Sequence, residues 1–213
     1  MRTLLLSLSG ALLLSLGLAC GGGADATGVP AQAPATGFTY TDPAGGGWRL
    51  VRNPASSRTR LVLDLVGPQG LMTRGAAFNL RAPEGVRFAP FADGQGVQAG
   101  GVYELLNTTG SGDPLEPKLM LAALKPGNVL TVGLFQKDRR ASAKDSGAAL
   151  FSIALEFDRT AGIHAGQGLR LEVLKAAYMG EDIGGSDFAA TYEKAAKAHT
   201  EPFTLAVGTL LAQ

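Results

Sequence analysis

The stretch ALFSIALEFD, residues 149–158, places an apolar side chain at every second position. One side of it consists of Phe151, Ile153, Leu155 and Phe157. Successive side chains of an extended chain point to opposite faces, so these four lie on one face of a β-strand. Residues 60–66, RLVLDLV, repeat the pattern, and a helix cannot gather a period of two on one stripe. Both stretches therefore predict antiparallel strands with one face in a core.

About ten stretches of this kind follow one another, separated by clusters of Gly, Pro, Asn or Asp. The predicted strands cover residues 48–52, 60–66, 76–80, 86–88, 102–106, 118–124, 129–136, 149–157, 169–179 and 203–211. Short strands at this spacing are typical of an antiparallel β-sandwich or barrel. We expect the space between two sheets to contain Leu63, Leu65, Phe78, Leu80, Val132, Leu134, Ile153, Leu155, Leu171, Val173, Leu205 and Val207.

One segment near the C-terminus departs from the strand pattern. Residues 186–199, SDFAATYEKAAKAH, combine Ala and Lys with Phe188 and Tyr192 at helical spacing. Ser186 can cap the first turn, and Pro202 ends the segment. The segment therefore predicts one short amphipathic helix before the final strand.

Composition excludes several classes of protein. The 213 residues contain 19 Lys plus Arg against 18 Asp plus Glu, a net charge of +1, so neither a general nucleic-acid binder nor an acidic tail is expected. One Cys and two His exclude a disulfide framework and a Cys/His metal cluster. Hydrophobic residues make up 46% of the chain, which is enough for a sizeable core.

The N-terminus has the composition of a secretory signal. Arg2 precedes an uncharged, leucine-rich run from Thr3 to Leu18, which is too short for a membrane-spanning helix of ~20 residues, and Ala19 follows it. The sole cysteine, Cys20, follows at once. This arrangement resembles a bacterial lipoprotein signal, which implies that the Cys20 thiol is diacylated, for example with palmitate, and becomes the mature N-terminus. The alternative is an ordinary secreted protein cut after Ala19 with a free thiol.

The chain divides into three parts by composition. Residues 1–19 are the predicted signal peptide, and residues 20–37 are the lipidated Cys with a flexible Gly/Ala/Pro tether. Residues 38–213 form the predicted β domain. By the lipoprotein resemblance, Gly21 rather than Asp after the cysteine implies sorting to the outer membrane. Whether the domain faces the periplasm or the cell surface, and whether it forms oligomers, stays open.

The spacing of apolar residues in the predicted β domain resembles that of a known protein family. The stretches LVLDLVGP (61–68), GAAFNLRAPEGVRF (75–88), NVLTVGLFQK (128–137), ALFSIALEFD (149–158) and LEVLKAAY (171–178) match the strand order of cohesin-like modules. These modules are β-sandwiches of jelly-roll type and relatives of some carbohydrate-binding modules. The resemblance implies a non-enzymatic module with a protein partner, and it carries over no catalytic residue.

No cluster of residues predicts catalysis, a cofactor or a metal with any specificity. The two histidines, His164 and His199, are expected in a turn and at a helix end. The carboxylates Asp64, Glu84, Glu104, Glu156, Asp158 and Glu172 lie in or beside strands, where outward polar residues are expected. Three further carboxylates, Glu181, Asp182 and Asp187, share a Gly-rich loop that could hold Ca²⁺, although Asp187 also suits a helix cap.

These features are compatible with three functions. The leading hypothesis is a non-enzymatic, membrane-anchored envelope lipoprotein that binds or assembles with a protein partner. The alternative is a carbohydrate-binding module that uses a sheet face to hold a polysaccharide, and an envelope hydrolase ranks third. A line of exposed aromatic rings on a sheet face would favour the carbohydrate. A face of mixed polar and small apolar residues would favour the protein partner.

Lipid attachment at Cys20 is the first testable prediction. Cells grown with labelled palmitate should incorporate label into the wild-type chain, and Cys20→Ser should abolish both the label and membrane retention. The serine variant is isosteric, so it removes the nucleophile without changing the signal. If the Cys20→Ser variant remains equally membrane-bound, the prediction of a lipid anchor at Cys20 is wrong.

Overall fold

The computed structural model describes residues 32–92, 94–99, 118–136, 143–181 and 200–213. Within these ranges every regular element is a β-strand, and there are fourteen of them. They are Phe38–Thr41 (β1), Arg49–Arg52 (β2), Arg60–Val66 (β3), Met72–Arg81 (β4), Val86–Ala89 (β5), Gln98–Ala99 (β6), Lys118–Lys125 (β7), Val129–Gln136 (β8), Lys144–Asp145 (β9), Phe151–Phe157 (β10), Gly168–Leu169 (β11), Glu172–Gly180 (β12), Thr200–Pro202 (β13) and Thr209–Ala212 (β14).

The strands form three antiparallel sheets. The five-stranded sheet has the order β2-β3-β10-β5, with β6 also beside β10. The six-stranded sheet has the order β13-β12-β4-β8-β7, with β9 also beside β4. A three-stranded sheet, β1-β14-β11, completes the domain. The antiparallel all-β sandwich that the apolar alternation predicted is confirmed.

One continuous core lies between the sheets. The ring of Phe78 on β4 stacks on Phe151 of β10 with centroids 5.7 Å apart, so the two larger sheets meet through these rings. Ten of the twelve predicted core residues are buried. The other two, Val173 and Val207, are partly buried and pack against the core from its margin.

The predicted strand 203–211 is wrong as a single element. The chain pairs with β12 as β13, then runs beside β2 at Ala206, and pairs with β1 and β11 as β14. Similarly, the predicted strand 169–179 is divided into β11 and β12, because its first residues pair with β14 and the rest with β4. A strand that changes sheets keeps its local alternation, so the sequence pattern continues across both breaks.

Other predictions fall on short or undescribed segments. The short strands β1, β6, β9 and β13 had no counterpart in the sequence pattern. The strand predicted over 102–106 and the helix predicted over 186–199 lie outside the described residues. Residues 33–37, which composition assigns to the tether, lie along the domain: Ala35 is buried, and its N–H donates to the carbonyl of Ile163 at 2.8 Å.

A buried tyrosine holds the C-terminal segment against β2. The Tyr40 hydroxyl donates to the Leu50 carbonyl at 2.8 Å and accepts from the Gly208 N–H at 2.6 Å. Burial raises the pKa of Tyr40 to about 12, so the hydroxyl stays protonated and can donate. Gly208 approaches β1 so closely that a Cβ there would lie 2.0 Å from the Thr41 carbonyl oxygen. Only glycine, which has no side chain, can therefore be accommodated where residue 208 packs against Thr41.

The second prediction tests the strand phase in the core. Truncating Leu63 or Ile153 to alanine should lower the free energy of unfolding by about 2–5 kcal/mol, because both side chains are fully buried between the sheets. Leu121→Ala is the matched control, since that leucine is 57% exposed, and its effect should stay within about 0.5 kcal/mol. Denaturant unfolding measures all three. An unchanged unfolding midpoint for Leu63→Ala would mean that the assignment of Leu63 to the inward face of β3 is wrong.

Candidate functional site

The outer face of the six-stranded sheet carries a row of small apolar residues that crosses five strands. The register places them opposite one another in the order Leu121, Gly133, Ala77, Ala177 and Pro202. Leu121 and Pro202 are exposed at the two ends, while Ala77 and Ala177 are half-buried. We call this set the small-residue row. Because its central side chains are methyl groups or hydrogen, it forms a shallow trough between two larger apolar ends.

Close packing sets the floor of this trough. A Cβ on Gly133 would lie 2.8 Å from the Ala77 Cβ and 3.0 Å from the Phe135 ring. The ring of Phe135 also lies against Gly75, where a Cβ would meet its Cδ1 at 2.6 Å. Because Gly133 has no side chain, the ring of Phe135 can pack against the surface of the sheet, where it is half-buried.

Two further rows make the same face progressively more polar. The next row contains Ala123, Thr131, Asn79 and Lys175. The row beyond it contains Lys125, Val129, Arg81 and Glu172. In that row Arg81 Nη1 lies 2.6 Å from Glu172 Oε2, and both side chains are about half exposed. The pair adds at most about 1 kcal/mol to stability, but it fixes the position of two charges beside the apolar trough.

The aromatic side chains of the described residues do not form a sugar-binding platform. None of them is exposed, and Trp48, which sequence alone could place either at an edge or in the core, is 5% exposed. The indole stacks on Phe203 at 4.4 Å and lies 5.4 Å from the Tyr178 ring. Trp48 is therefore a core residue. Tyr103 and Tyr192 lie outside the described residues.

The outer face of the five-stranded sheet is covered and internally bonded. Val62, Ala89 and Ala154 form a small second core under Phe91. Asp64 accepts hydrogen bonds from the Asn53 amide at 2.8 Å and from the Ser152 hydroxyl. Polar groups here are used within the domain, so this face offers less free surface than the small-residue row.

The carboxylates singled out in the sequence mostly have structural partners. Glu156 binds Arg60 at 2.7 Å and Arg87 at 3.2 Å. Hydrogen bonds from the Thr160 hydroxyl and N–H lower the pKa of Asp158. Glu84 lies in the turn before β5, and Glu104 is outside the described residues. These contacts explain the carboxylates as parts of strands and turns.

Of the remaining candidate residues, the structure describes only His164 and Glu181. His164 is exposed, with Nδ1 3.1 Å from the Gln32 carbonyl oxygen, and His199 is outside the described residues. The carbonyl of Glu181 accepts from Arg74 Nε at 3.1 Å, while Asp182 and Asp187 lie outside the described ranges, as does Cys20. Across the described residues there is no group of three potential metal ligands and no helix able to cross a membrane.

Comparison with known proteins finds likeness in structure only. No family model matches the sequence, and no curated protein matches it. A type II cohesin domain from the cellulosome of Acetivibrio cellulolyticus is 7% identical, covers 79% of this chain and 95% of its own, and has a TM-score of 0.46. The non-cellulosomal cohesin from Archaeoglobus fulgidus is 11% identical, with coverages of 68% and 80% and a TM-score of 0.40.

A type III cohesin module from the cell-surface anchoring scaffoldin of Ruminococcus flavefaciens is 16% identical, with coverages of 66% and 67% and a TM-score of 0.38. The structural neighbours are thus cohesin modules, the class of domain that the apolar spacing resembles.

The third prediction concerns Trp48, the only tryptophan of the chain. Because the indole is buried against Phe203, its fluorescence should be blue-shifted, poorly quenched by acrylamide, and unchanged by soluble polysaccharides. Trp48→Ala should cost about 3–5 kcal/mol of stability. A fluorescence change that saturates with polysaccharide would place the ring in a ligand site and contradict this assignment.

Proposed function

We propose that this protein is a non-enzymatic, lipid-anchored protein of the cell envelope that binds a protein partner through the outer face of its six-stranded sheet. The observation that carries the proposal is the small-residue row, a shallow apolar trough bordered by polar and charged rows. Mixed apolar and polar surface of this kind suits a protein, whereas a polysaccharide would need exposed rings.

The dimensions of the face support a protein-sized contact. Five strands at about 4.8 Å spacing and eight residues at about 3.3 Å each span roughly 24 Å by 26 Å. That is somewhat less than the ~800 Å² per partner of a standard interface. The loops beside the sheet supply the difference.

The charge of the chain suits recognition by shape. Removing residues 1–19 takes away one arginine and no acid, so acidic and basic side chains would then be equal in number. Long-range attraction of a charged partner is therefore weak. Contact through the small-residue row would depend on close fit and desolvation of apolar surface, which salt screens little.

The anchor belongs to the same proposal. Acylation of Cys20 with two chains would hold the protein firmly, whereas one chain binds a bilayer only marginally. Gly21 after the cysteine favours the outer membrane. A domain held at the membrane meets its partner at high local concentration, so a modest intrinsic affinity is sufficient.

The fourth prediction tests the face directly. Ala77→Glu and Ala177→Glu each place an unpaired carboxylate in the trough and should weaken partner capture at least about tenfold. Ala148→Glu is the control, because it adds the same charge at an exposed turn outside this face. Native envelopes are solubilised, the partner captured by each variant is identified, and its affinity is then measured. Circular dichroism verifies that the variants remain folded.

Two outcomes would contradict the proposed face. Equal capture by Ala77→Glu, Ala177→Glu and Ala148→Glu would place the partner elsewhere. A loss of affinity of several orders of magnitude between low and high salt would show that charge clusters, and not the apolar trough, dominate the contact.

A further inference from the structure

The edge of the six-stranded sheet contains an open window between β12 and the C-terminal segment. The two chains run antiparallel and meet at both ends of the window. At one end Leu169 pairs with Leu210, and at the other the Phe203 N–H donates to the Ala176 carbonyl at 3.2 Å. Between these contacts, residues 170–175 and residues 204–209 do not pair with each other.

The window opens because residues 204–208 bind the other sheet. Ala206 donates to the Trp48 carbonyl at 2.9 Å and accepts from the Leu50 N–H at 3.0 Å. Backbone N–H and C=O groups alternate in direction along an extended chain. Because those of Ala206 point to β2, the N–H and C=O groups of Leu205 and Val207 point away from β2 and toward the window. Neither backbone makes a hydrogen bond within the part of the chain that the structure describes.

The opposite wall also presents unused backbone groups. Ala176 lies opposite Phe78 and directs its carbonyl away from β4, to Phe203. Val173 lies opposite Leu80, two residues further along β4, so its backbone has the same outward direction. No described strand pairs with β12 on this side before residue 177. A free strand edge therefore faces the window.

The window is a groove that polar and apolar groups line about equally. Its volume is about 820 Å³, and Val173, Phe203 and Val207 line it while only partly buried. The register of β12 shifts between Val173 and Lys175, which marks Leu174 as the extra residue of a β-bulge. Leu174 is 42% exposed beside the groove, so the bulge adds apolar surface at its rim.

The charged side chains of the groove are predominantly basic. Arg170 and Lys175 line it, are exposed, and make no ion pair with any described residue. The one acidic side chain of the lining, Glu172, is already paired with Arg81. Two cations five residues apart therefore flank the free edge, about 16 Å from each other along the strand.

We propose that this window binds an extended peptide segment of another protein, apolar in its middle and acidic at its ends, by strand addition to β12. The backbone of the peptide would bond the outward groups of Val173, where β13 stops, and its apolar side chains would cover the half-buried lining. Its acidic ends would meet Arg170 and Lys175. The site is separate from the small-residue row and does not depend on it.

The fifth prediction uses defined peptides and the full chain in detergent. The probe is a hexapeptide with aspartate at both ends, about 16 Å apart like the two cations, and alternating valine and threonine between them. It should bind, and it should slow amide exchange at residues 171–173 and 205–207 at least about tenfold. N-methylation of alternate peptide residues should remove the protection of residue 173 in one phase and that of residues 205 and 207 in the other, because alternate N–H groups of a strand face opposite neighbours.

Charge variants test the selectivity for acidic ends. The double variant Arg170→Glu/Lys175→Glu should weaken binding of the aspartate peptide at least about tenfold. It should instead bind a matched peptide with terminal lysines more tightly than the aspartate peptide. The control is Lys125→Glu/Arg159→Glu, which makes the same charge change at exposed positions outside the groove.

Several results would overturn the assignment. They are absence of binding, loss of protection at the same residues in both N-methylation phases, and equal loss of peptide affinity in the two double variants. Self-association of the chain that the peptide cannot displace, with the same amides protected, would assign the window to a second copy instead. Ala77→Glu should leave peptide binding unchanged, so failure here and failure of the sheet-face proposal are distinguishable.

Discussion

Residues 204–208 lie against β2 instead of continuing the ladder along β12, and this change of neighbour shapes the C-terminal part of the domain. The bonds of Ala206 with Trp48 and Leu50 hold this segment in place, and the Tyr40 hydroxyl secures its end at Gly208. The backbone of Ala206 and the hydroxyl of Tyr40 are both paired in this joint, which matters because an unpaired buried polar group costs about 1–3 kcal/mol. The change from β12 to β2 joins the C-terminal segment to the five-stranded sheet and leaves part of β12 without a neighbouring strand.

The two larger sheets differ in how much surface they leave free. The loop after β5 places Phe91 over Val62 and Ala154, so the outer face of the five-stranded sheet is partly a second core. The six-stranded sheet instead presents alanines and a glycine to its outside, with the charged pair of Arg81 and Glu172 nearby. Apolar surface that a fold leaves exposed in this way is typical of sites that meet other molecules.

Both proposed contacts involve β12 but use different chemistry. The small-residue row would bind by side-chain fit across the sheet, whereas the open window would bind by backbone hydrogen bonds along its edge. The bulge at Leu174 separates the two, because it interrupts the ladder with β4 and turns an extra side chain outward. Lys175 and Glu172, which lie in the polar rows of the face, also line the window, so the two contacts adjoin along β12.

The sequence by itself determined the strand phase and the composition of the core, because alternation is a property of neighbouring residues. Leu63, Phe78 and Ile153 were assigned to the inside from that pattern and are buried. Which strands lie beside one another depends on contacts between residues far apart in the chain. The small-residue row exists only once Leu121, Ala77 and Ala177 are brought into register. Likewise, residues 203–211 alternate like one strand, and only the tertiary structure decided that they divide and leave a window, because the Ala206 backbone bonds to β2 where the chain has left β12.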